Sequence, residues 1–241
     1  MQGAAFRTPT GDPVTALTAA EMAAVDRVAV ETVGLQLLQM MEHVGRGLAW
    51  HVRDCRTEDG PVTIVAGSGG NGGGGLACAR HLENRDIPVA VVLDRPPEAL
   101  SGAVATQYQI LAAMDVSVTT DPERLTRGPE TGVVVDALIG YGLDGEVRPP
   151  MRGLIEGVNA RDESIVSLDV PSGLDATTGD VRGVAVSPTR TVTLALPKTG
   201  LEVGSGALYL LDISIPRTVY ERLDIEYDRP FGEADWVELK R

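Results

Sequence analysis

A run of glycines between an apolar segment and a helical segment constrains the fold of this chain more than any other feature. Residues 62–66 read Val-Thr-Ile-Val-Ala, which is typical of a buried strand. Residues 67–75 are almost all glycine, and Leu76, Ala79 and Leu82 then follow at helical spacing. The sequence therefore predicts a strand, a tight turn and a helix N-terminus, where free N–H groups and the helix dipole favour a phosphate.

The glycine run matches G-x-G-x-x-G over residues 67–72, a pattern that is weak by itself but lies here between a strand and a helix. Asp94 ends the next predicted strand, as in dinucleotide-binding folds. A flexible linker is the alternative, and the core-type segments on both sides argue against it. The chain has no G-x-x-x-x-G-K-[ST] sequence, which excludes a P-loop.

Composition limits the class of protein. The chain has 241 residues, 43% of them hydrophobic, which favours one α/β domain. The net charge of −13 argues against nucleic-acid binding. Lysine occurs only at Lys198 and Lys240, which indicates a salt-tolerant organism or a genome that favours arginine codons. We expect no membrane span, no signal peptide, and a cytoplasmic protein whose Cys55 and Cys78 are free thiols.

Strand-like and helix-like segments alternate along most of the chain. A capping box at Thr18–Glu21 starts the first predicted helix, and strands follow near residues 62–66, 87–93, 116–119, 133–138 and 164–170. This order predicts a three-layer αβα Rossmann-like sandwich with a mostly parallel sheet, extended by C-terminal edge strands. We expect a flexible N-terminus over residues 1–14, one domain over 15–223 and an acidic tail over 224–241.

Polar side chains collect where the apolar strands stop. Asn71 lies in the glycine run, Asp136 ends one strand, and Asp169 ends another just before Ser172. Ligands of open parallel sheets bind at the carboxyl ends of the strands, so these groups form a candidate site. Their oxygen atoms also suit a hard cation. The alternatives are structural: strand-end acids cap neighbouring loops, and a serine after proline is a common turn residue.

Several collinear motifs resemble those of the NAD(P)H-hydrate epimerase family, the YjeF N-terminal domain. Residues 40–46 are similar to M-E-N-A-G-R, residues 67–75 to G-x-G-N-N-G-G-D-G, and residues 136–148 to D-A-L-F-G-T-G-L-x-G-x-x-R. Residues 168–179 resemble L-D-I-P-S-G-L-D-A-x-T-G, residues 196–200 P-K-x-G, and residues 212–216 D-I-G-I-P. The resemblance covers residues 18–216.

The resemblance implies an enzyme that interconverts the R and S forms of hydrated NADH and NADPH. It implies one potassium ion per subunit, held by Asn71, Asp136 and Ser172, and no other cofactor. It also implies that the protein forms a homodimer and that a separate dehydratase works in the same pathway. By resemblance, the residues that contact the substrate are Gly70, Asn71, Gly72, Gly73, Gly74, Gly140, Tyr141, Gly142, Leu143, Asp144, Gly145, Glu146 and Asp169.

Asp169 is the candidate catalytic residue. Epimerisation at the hydrated ring carbon needs a proton given to the leaving hydroxyl and another taken from the incoming water, and one carboxylate beside that carbon can do both. The alternative is a structural cap for the turn over residues 172–175.

The glycine run departs from the family pattern. Gly70 and Gly74 replace an asparagine and an aspartate, and His43 replaces an asparagine in the second helix. Two further hypotheses stay open. The departures, and Gly74 above all, motivate a non-catalytic nucleotide-binding or scaffold member of the same family. The G-x-G-x-x-G match and Asp94 motivate an NAD-dependent dehydrogenase.

Overall fold

The computed structural model describes residues 6–56, 60–127 and 132–241, with the side chains of 126 and 127 left aside. The strands are β1 Phe6–Arg7, β2 Pro13–Val14, β3 Val62–Ala66, β4 Val89–Leu93, β5 Ser117–Thr119, β6 Val133–Ala137, β7 Ser164–Leu168, β8 Arg190–Leu194, β9 Ala207–Leu211 and β10 Trp236–Leu239. The α-helices are α1 Ala19–Arg27, α2 Leu37–Cys55, α3 Gly70–Glu83, α4 Gly102–Ala113, α5 Glu123–Arg127, α6 Met151–Asn159 and α7 Arg217–Glu221.

The main sheet has eight strands in the order β10-β9-β8-β7-β6-β3-β4-β5. All neighbouring pairs are parallel except β10 and β9, which pair with Trp236 opposite Leu211. One apolar cluster joins one face of the sheet to α1, α2, α3, α4 and α7, and a smaller cluster joins the other face to α5 and α6. The predicted three-layer sandwich with C-terminal edge strands is therefore confirmed.

Local sequence explains how the first two helices begin and end. Thr18 and Glu21 form the predicted capping box at the start of α1. A single π-helical turn over Val28–Val33 continues α1, and Gly34 ends it with a φ of 84°, a conformation that costs glycine little. No helix among the described residues is long and apolar enough to cross a membrane.

Both ends of the chain differ from the sequence-based expectation. The predicted flexible N-terminus is wrong for residues 6–14, because β1 pairs with β2 and Phe6 is completely buried. Residues 1–5 lie outside the described part. The predicted acidic tail is not a separate segment, because residues 236–239 form the edge strand β10. Its local signal was the short run Trp236-Val237-Glu238-Leu239, which is rich in apolar residues of high strand propensity.

Candidate functional site

The glycine run forms the first turns of α3. This helix begins at Gly70, within the glycine run and before the apolar residues Leu76, Ala79 and Leu82 that predicted it, with Gly69 as its N-cap. The Gly73 N–H already donates to the Gly69 carbonyl, at 3.1 Å. The N–H groups of Gly70, Asn71 and Gly72 are therefore the ones that the helix leaves without a partner of its own. Gly69 and Gly70 are exposed, and a Cβ on either would meet nothing.

Gly72, Gly73 and Gly74 are buried, and they serve close packing. A Cβ at Gly72 would overlap the carbonyl of Gly67 across the turn. A Cβ at Gly74 would lie 2.7 Å from Val44 Cγ1 and 3.0 Å from Leu168 Cδ2. Val44 and Leu168 thus leave no room at Gly74 for the aspartate side chain of the family pattern. Of the five loop residues predicted to contact the substrate, Gly70 and Asn71 line the cavity.

A cavity of about 420 Å³ opens beside the start of α3, at the carboxyl ends of β3, β6 and β7. Its polar groups come from four segments: α1, the glycine turn, the loop after β6, and the end of β7. Its apolar wall comes mainly from α2. The residues that line it are Asp26, Leu37, Met40, Met41, Val44, Ser68, Gly69, Gly70, Asn71, Leu138, Ile139, Gly140, Tyr141, Gly142, Met151, Leu168, Asp169, Leu194 and Ile213.

Asp169 is a buried carboxylate on this cavity, only 3% exposed. Its φ of 67° lies in the left-handed region, which a non-glycine residue adopts at a cost and which is common at functional sites. The Tyr141 backbone N–H donates to Asp169 Oδ2 at 3.1 Å. The Lys198 ammonium group forms an ion pair with Oδ1.

Lys198 was not identified from the sequence as a site residue. It is 1% exposed, and Nζ also donates to the Leu194 carbonyl at 2.9 Å. The clue was available, because one of only two lysines lies in an apolar segment, Leu196-Pro197-Lys198. A lysine is rarely buried without a partner, so this position indicated a nearby carboxylate.

Asp136 and Ser172 form a second buried polar group, in direct contact with each other. Ser167 Oγ and the Ser172 N–H donate to Asp136 Oδ2 at 2.8 and 2.9 Å, and Ser172 Oγ and the Leu138 N–H donate to Oδ1 at 2.5 and 3.3 Å. Burial raises the pKa of Asp136 above its ordinary value, and these hydrogen bonds oppose the shift. The structure therefore brings together two of the three predicted potassium ligands.

Asn71 lies opposite Asp169 across Gly140. A Cβ on Gly140 would be 2.9 Å from Asp169 Oδ2 and 3.2 Å from Asn71 Oδ1, so both oxygens approach the same bare backbone position. Among the described residues, Asn71 Nδ2 is buried without a hydrogen-bond partner. Gly140 follows Ile139, whose N–H donates to Ser172 Oγ at 2.9 Å. One short loop thus connects Asn71 with the Asp136–Ser172 pair.

The predicted substrate loop over residues 140–146 divides between two cavities. Gly140, Tyr141 and Gly142 line the first one. Leu143, Asp144, Gly145 and Glu146 line a neighbouring cavity of about 600 Å³, which also contains Asp94 and Arg95. Ile139 and Met151 lie on both. Together the two cavities form an elongated site rather than a compact one.

Asp94 does not lie free at the end of β4. Arg95 Nη2 and Nε donate to its Oδ2 at 2.9 and 3.1 Å, and Ser68 Oγ approaches the same oxygen at 3.5 Å. In the dehydrogenase hypothesis this acid would accept a hydrogen bond from a ribose hydroxyl. Arg95 and Ser68 occupy Oδ2, whereas Oδ1 is buried without a hydrogen-bond partner among the described residues, so that hypothesis keeps one acceptor at Asp94.

The fold and the site together define a class of protein. A mostly parallel sheet with helices on both faces, a glycine-led helix beside a cavity, and polar groups at the strand ends define an α/β domain with a candidate ligand site at the carboxyl ends of its strands. Comparison with known proteins narrows this class to one family. The family model described as "YjeF-related protein N-terminus" matches residues 37–200, and the chain belongs to this family.

Named relatives match over most of the chain. The NAD(P)H-hydrate epimerase of Dehalogenimonas lykanthroporepellens is 42% identical over 97% of this chain and 96% of its own length. The bifunctional NAD(P)H-hydrate repair enzyme Nnr of Salinibacter ruber is 40% identical over 86% of this chain, but the match spans only 42% of that relative. The crystal structure of the yeast protein YNL200c has a TM-score of 0.79 at 26% identity, over 93% of this chain and 100% of that one.

Proposed function

We propose that this chain is an NAD(P)H-hydrate epimerase, an isomerase that interconverts the R and S forms of hydrated NADH and NADPH. The observation that carries the proposal is the buried Asp169–Lys198 pair on a cavity next to the N-terminus of α3. The relatives named for this activity support it, since one of them matches this chain end to end at 42% identity.

Asp169 has the properties that the reaction requires. The hydroxyl leaves the hydrated ring carbon as water after it receives a proton, and a second water molecule adds to the other face and loses one. The Lys198 ammonium group pairs with Oδ1 and the Tyr141 N–H donates to Oδ2, so the carboxylate is held in one position on the cavity. In our proposal this carboxylate takes the proton from the adding water, and the low exposure of Asp169 keeps bulk water away.

The two cavities suit the rest of a dinucleotide. The free N–H groups at the start of α3 supply positive potential for a phosphate, and the glycine turn itself contains no lysine or arginine. Gly69 and Gly70 leave the backbone open to such a group. We place the hydrated ring at Asp169, and the remainder of the substrate extends towards residues 143–146 and Arg95.

A potassium ion fits the Asp136–Ser172 pair. The Asp136 carboxylate is fully buried, and the donors around it are hydroxyl and backbone groups rather than a cationic side chain. Oxygen ligands of this kind suit a hard cation, with Asn71 Oδ1 as the further ligand that we propose. Such an ion would supply fixed positive charge at the base of the cavity and would hold the loops after β6 and β7 together.

We also propose the cellular setting. A dehydratase activity in the same repair process is the partner that we propose, because matching relatives are named bifunctional NAD(P)H-hydrate repair enzymes. The free Cys55 and Cys78 support a reducing compartment such as the cytoplasm. A homodimer remains part of the proposal and is testable by light scattering.

One assay separates the epimerase from the other two hypotheses. A mixture of the two NADHX epimers is depleted of the S form, and chromatography follows its return. The epimerase restores the equilibrium mixture without any co-substrate. A nucleotide-binding scaffold leaves the rate at its uncatalysed value, and a dehydrogenase acts only when a second substrate is present. Tight binding of the epimers without faster equilibration would replace the proposal with the scaffold hypothesis.

A further inference from the structure

A second carboxyl group faces the same cavity as Asp169. Asp26 lies near the end of α1, and its side chain lines the cavity. The Tyr141 phenol donates a hydrogen bond to Asp26 Oδ2. The apolar packing of α1 comes from Met22 and Val25, and the Asp26–Tyr141 contact is a separate polar link between α1 and the loop after β6.

Tyr141 connects the two carboxyl groups. Its backbone N–H donates to Asp169 Oδ2 at 3.1 Å, whereas its phenol oxygen contacts Asp26. Asp26 and Asp169 therefore stand at the two ends of one tyrosine, along one cavity. Lys198 lies at the Asp169 end, with Nζ 5.9 Å from the centre of the Tyr141 ring.

The surroundings of the two acids differ in charge. Asp169 is paired with an ammonium group, whereas the direct partner of Asp26 is a neutral phenol. Burial raises the pKa of Asp26 above its ordinary value, and the Tyr141 hydrogen bond and the more distant Lys198 charge oppose this shift. Burial also raises the pKa of Tyr141, so the phenol keeps its proton in the resting site. Two acids whose environments differ in this way are the usual arrangement for separate acid and base roles.

We propose that the Tyr141 phenol is a second proton-transfer group, held in place by Asp26, and that it serves the face of the substrate ring that Asp169 does not reach. This inference rests on the proposed epimerase function. Epimerisation breaks the carbon–oxygen bond on one face and forms it on the other, so a proton is needed at two separate places. Tyr141 is the residue that touches the reacting oxygen, and Asp26 is a positioning residue.

The protons and bonds balance. When the hydroxyl leaves on the Tyr141 face, the phenol gives it a proton and receives one from the Asp26 carboxyl group, and the ring nitrogen lone pair completes an iminium ion. Water then adds on the Asp169 face, and the Asp169 carboxylate takes its proton. The reverse direction uses the same groups in opposite roles, and solvent restores the starting protonation states. No oxidant, reductant or co-reactant is needed.

Isotope exchange distinguishes this arrangement from a single-acid mechanism. The wild-type chain and Tyr141→Phe are incubated with each purified epimer in water labelled with heavy oxygen. Mass spectrometry measures label entering the hydroxyl, and chromatography measures inversion. In Tyr141→Phe, we expect inversion to fall by about 100-fold while Asp169 still exchanges the hydroxyl of one epimer with retention. Tyr108→Phe, on α4 and away from the cavity, is the matched control and should behave as wild type.

Other outcomes overturn the proposal. Unchanged inversion in Tyr141→Phe would show that Asp169 serves both faces alone. Equal loss of exchange and inversion for both epimers would assign Tyr141 a structural role. Asp26→Asn keeps an acceptor for the phenol but has no carboxyl proton. It should therefore show the Tyr141→Phe pattern in weaker form. Wild-type behaviour of Asp26→Asn would remove Asp26 from the mechanism. A wild-type chain that neither exchanges nor inverts contradicts the epimerase function itself.

Discussion

Replacing Lys198 by methionine removes the ammonium group from beside Asp169 but keeps most of the buried side-chain volume. The Asp169 carboxylate is 3% exposed and would then remain in the protein interior without its cation. Its remaining donors are the Tyr141 N–H at 3.1 Å, the Leu194 N–H at 3.4 Å and Thr193 Oγ1 at 3.5 Å. The last two of these are long hydrogen bonds, and the three together compensate a buried charge only in part.

The expected loss of stability is large for one substitution. Breaking a buried ion pair by removing one partner costs about 3–5 kcal/mol, because the other charge stays buried and unpaired. Removing both charges costs less than the sum of the two single changes. In Asp169→Asn/Lys198→Met we therefore expect a favourable coupling of about 1–3 kcal/mol. Asp169→Asn alone should also lose stability, because it leaves the buried Lys198 ammonium group without its partner carboxylate.

Urea unfolding followed by tryptophan fluorescence measures these values. Trp50 on α2 and Trp236 on β10 have ring centroids 4.7 Å apart, so their emission reports on packing between the two elements. Lys240→Met is the matched control, because this second lysine is exposed and its loss should change stability by about 0.5 kcal/mol or less. A loss below about 1 kcal/mol in Lys198→Met, with an unchanged urea dependence, would refute the account of the ion pair.

Three further predictions follow from other parts of the structure. Gly70→Val should weaken ligand binding in calorimetry and leave the melting temperature unchanged. Gly72→Val should unfold the turn, because its side chain overlaps Gly67. Equal effects of the two changes would contradict the assignment of Gly70 to ligand contact and of Gly72 to packing. Burial, followed by the nearby Arg190 charge, lowers the pKa of His51 to about 3. The stability that depends on neutral His51 is therefore present above pH 6.5 and is lost as the pH falls towards 3. His51→Phe should lose less stability than the wild type between pH 7 and pH 5. The melting temperature of the wild type should be higher in potassium than in the salt of a large organic cation. This difference should be absent in Asp136→Asn.

Local patterns were enough to predict most of the sheet. Strands β3, β4, β6 and β7 are apolar runs separated by helix-forming segments, and their parallel order follows from that alternation. The start of α3 could not be located, because a run of glycines has no side-chain periodicity to mark the first helical turn. The N-terminal pairing was missed because its strands have only two residues each.

The site was predictable where one segment carries the signal. Asp136, Asp169 and Ser172 follow or end strands, and the fold brings them to the same edge of the sheet. The contacts of Asp169 with Lys198 and of Tyr141 with Asp26 join segments 29 and 115 residues apart. Such pairs depend on how distant elements pack. The apolar segment around Lys198 indicated that a carboxylate lies near it, but no local pattern identifies which one.

The most direct test of the account compares the wild-type chain with Asp169→Asn on purified R epimer. Asparagine tolerates the left-handed backbone at this position, so the loop geometry is retained. We expect epimerisation to fall by about 100-fold or more, while calorimetry still detects binding of the epimer to the folded variant. A folded, ligand-binding Asp169→Asn variant that equilibrates the epimers at the wild-type rate would contradict the central role of Asp169.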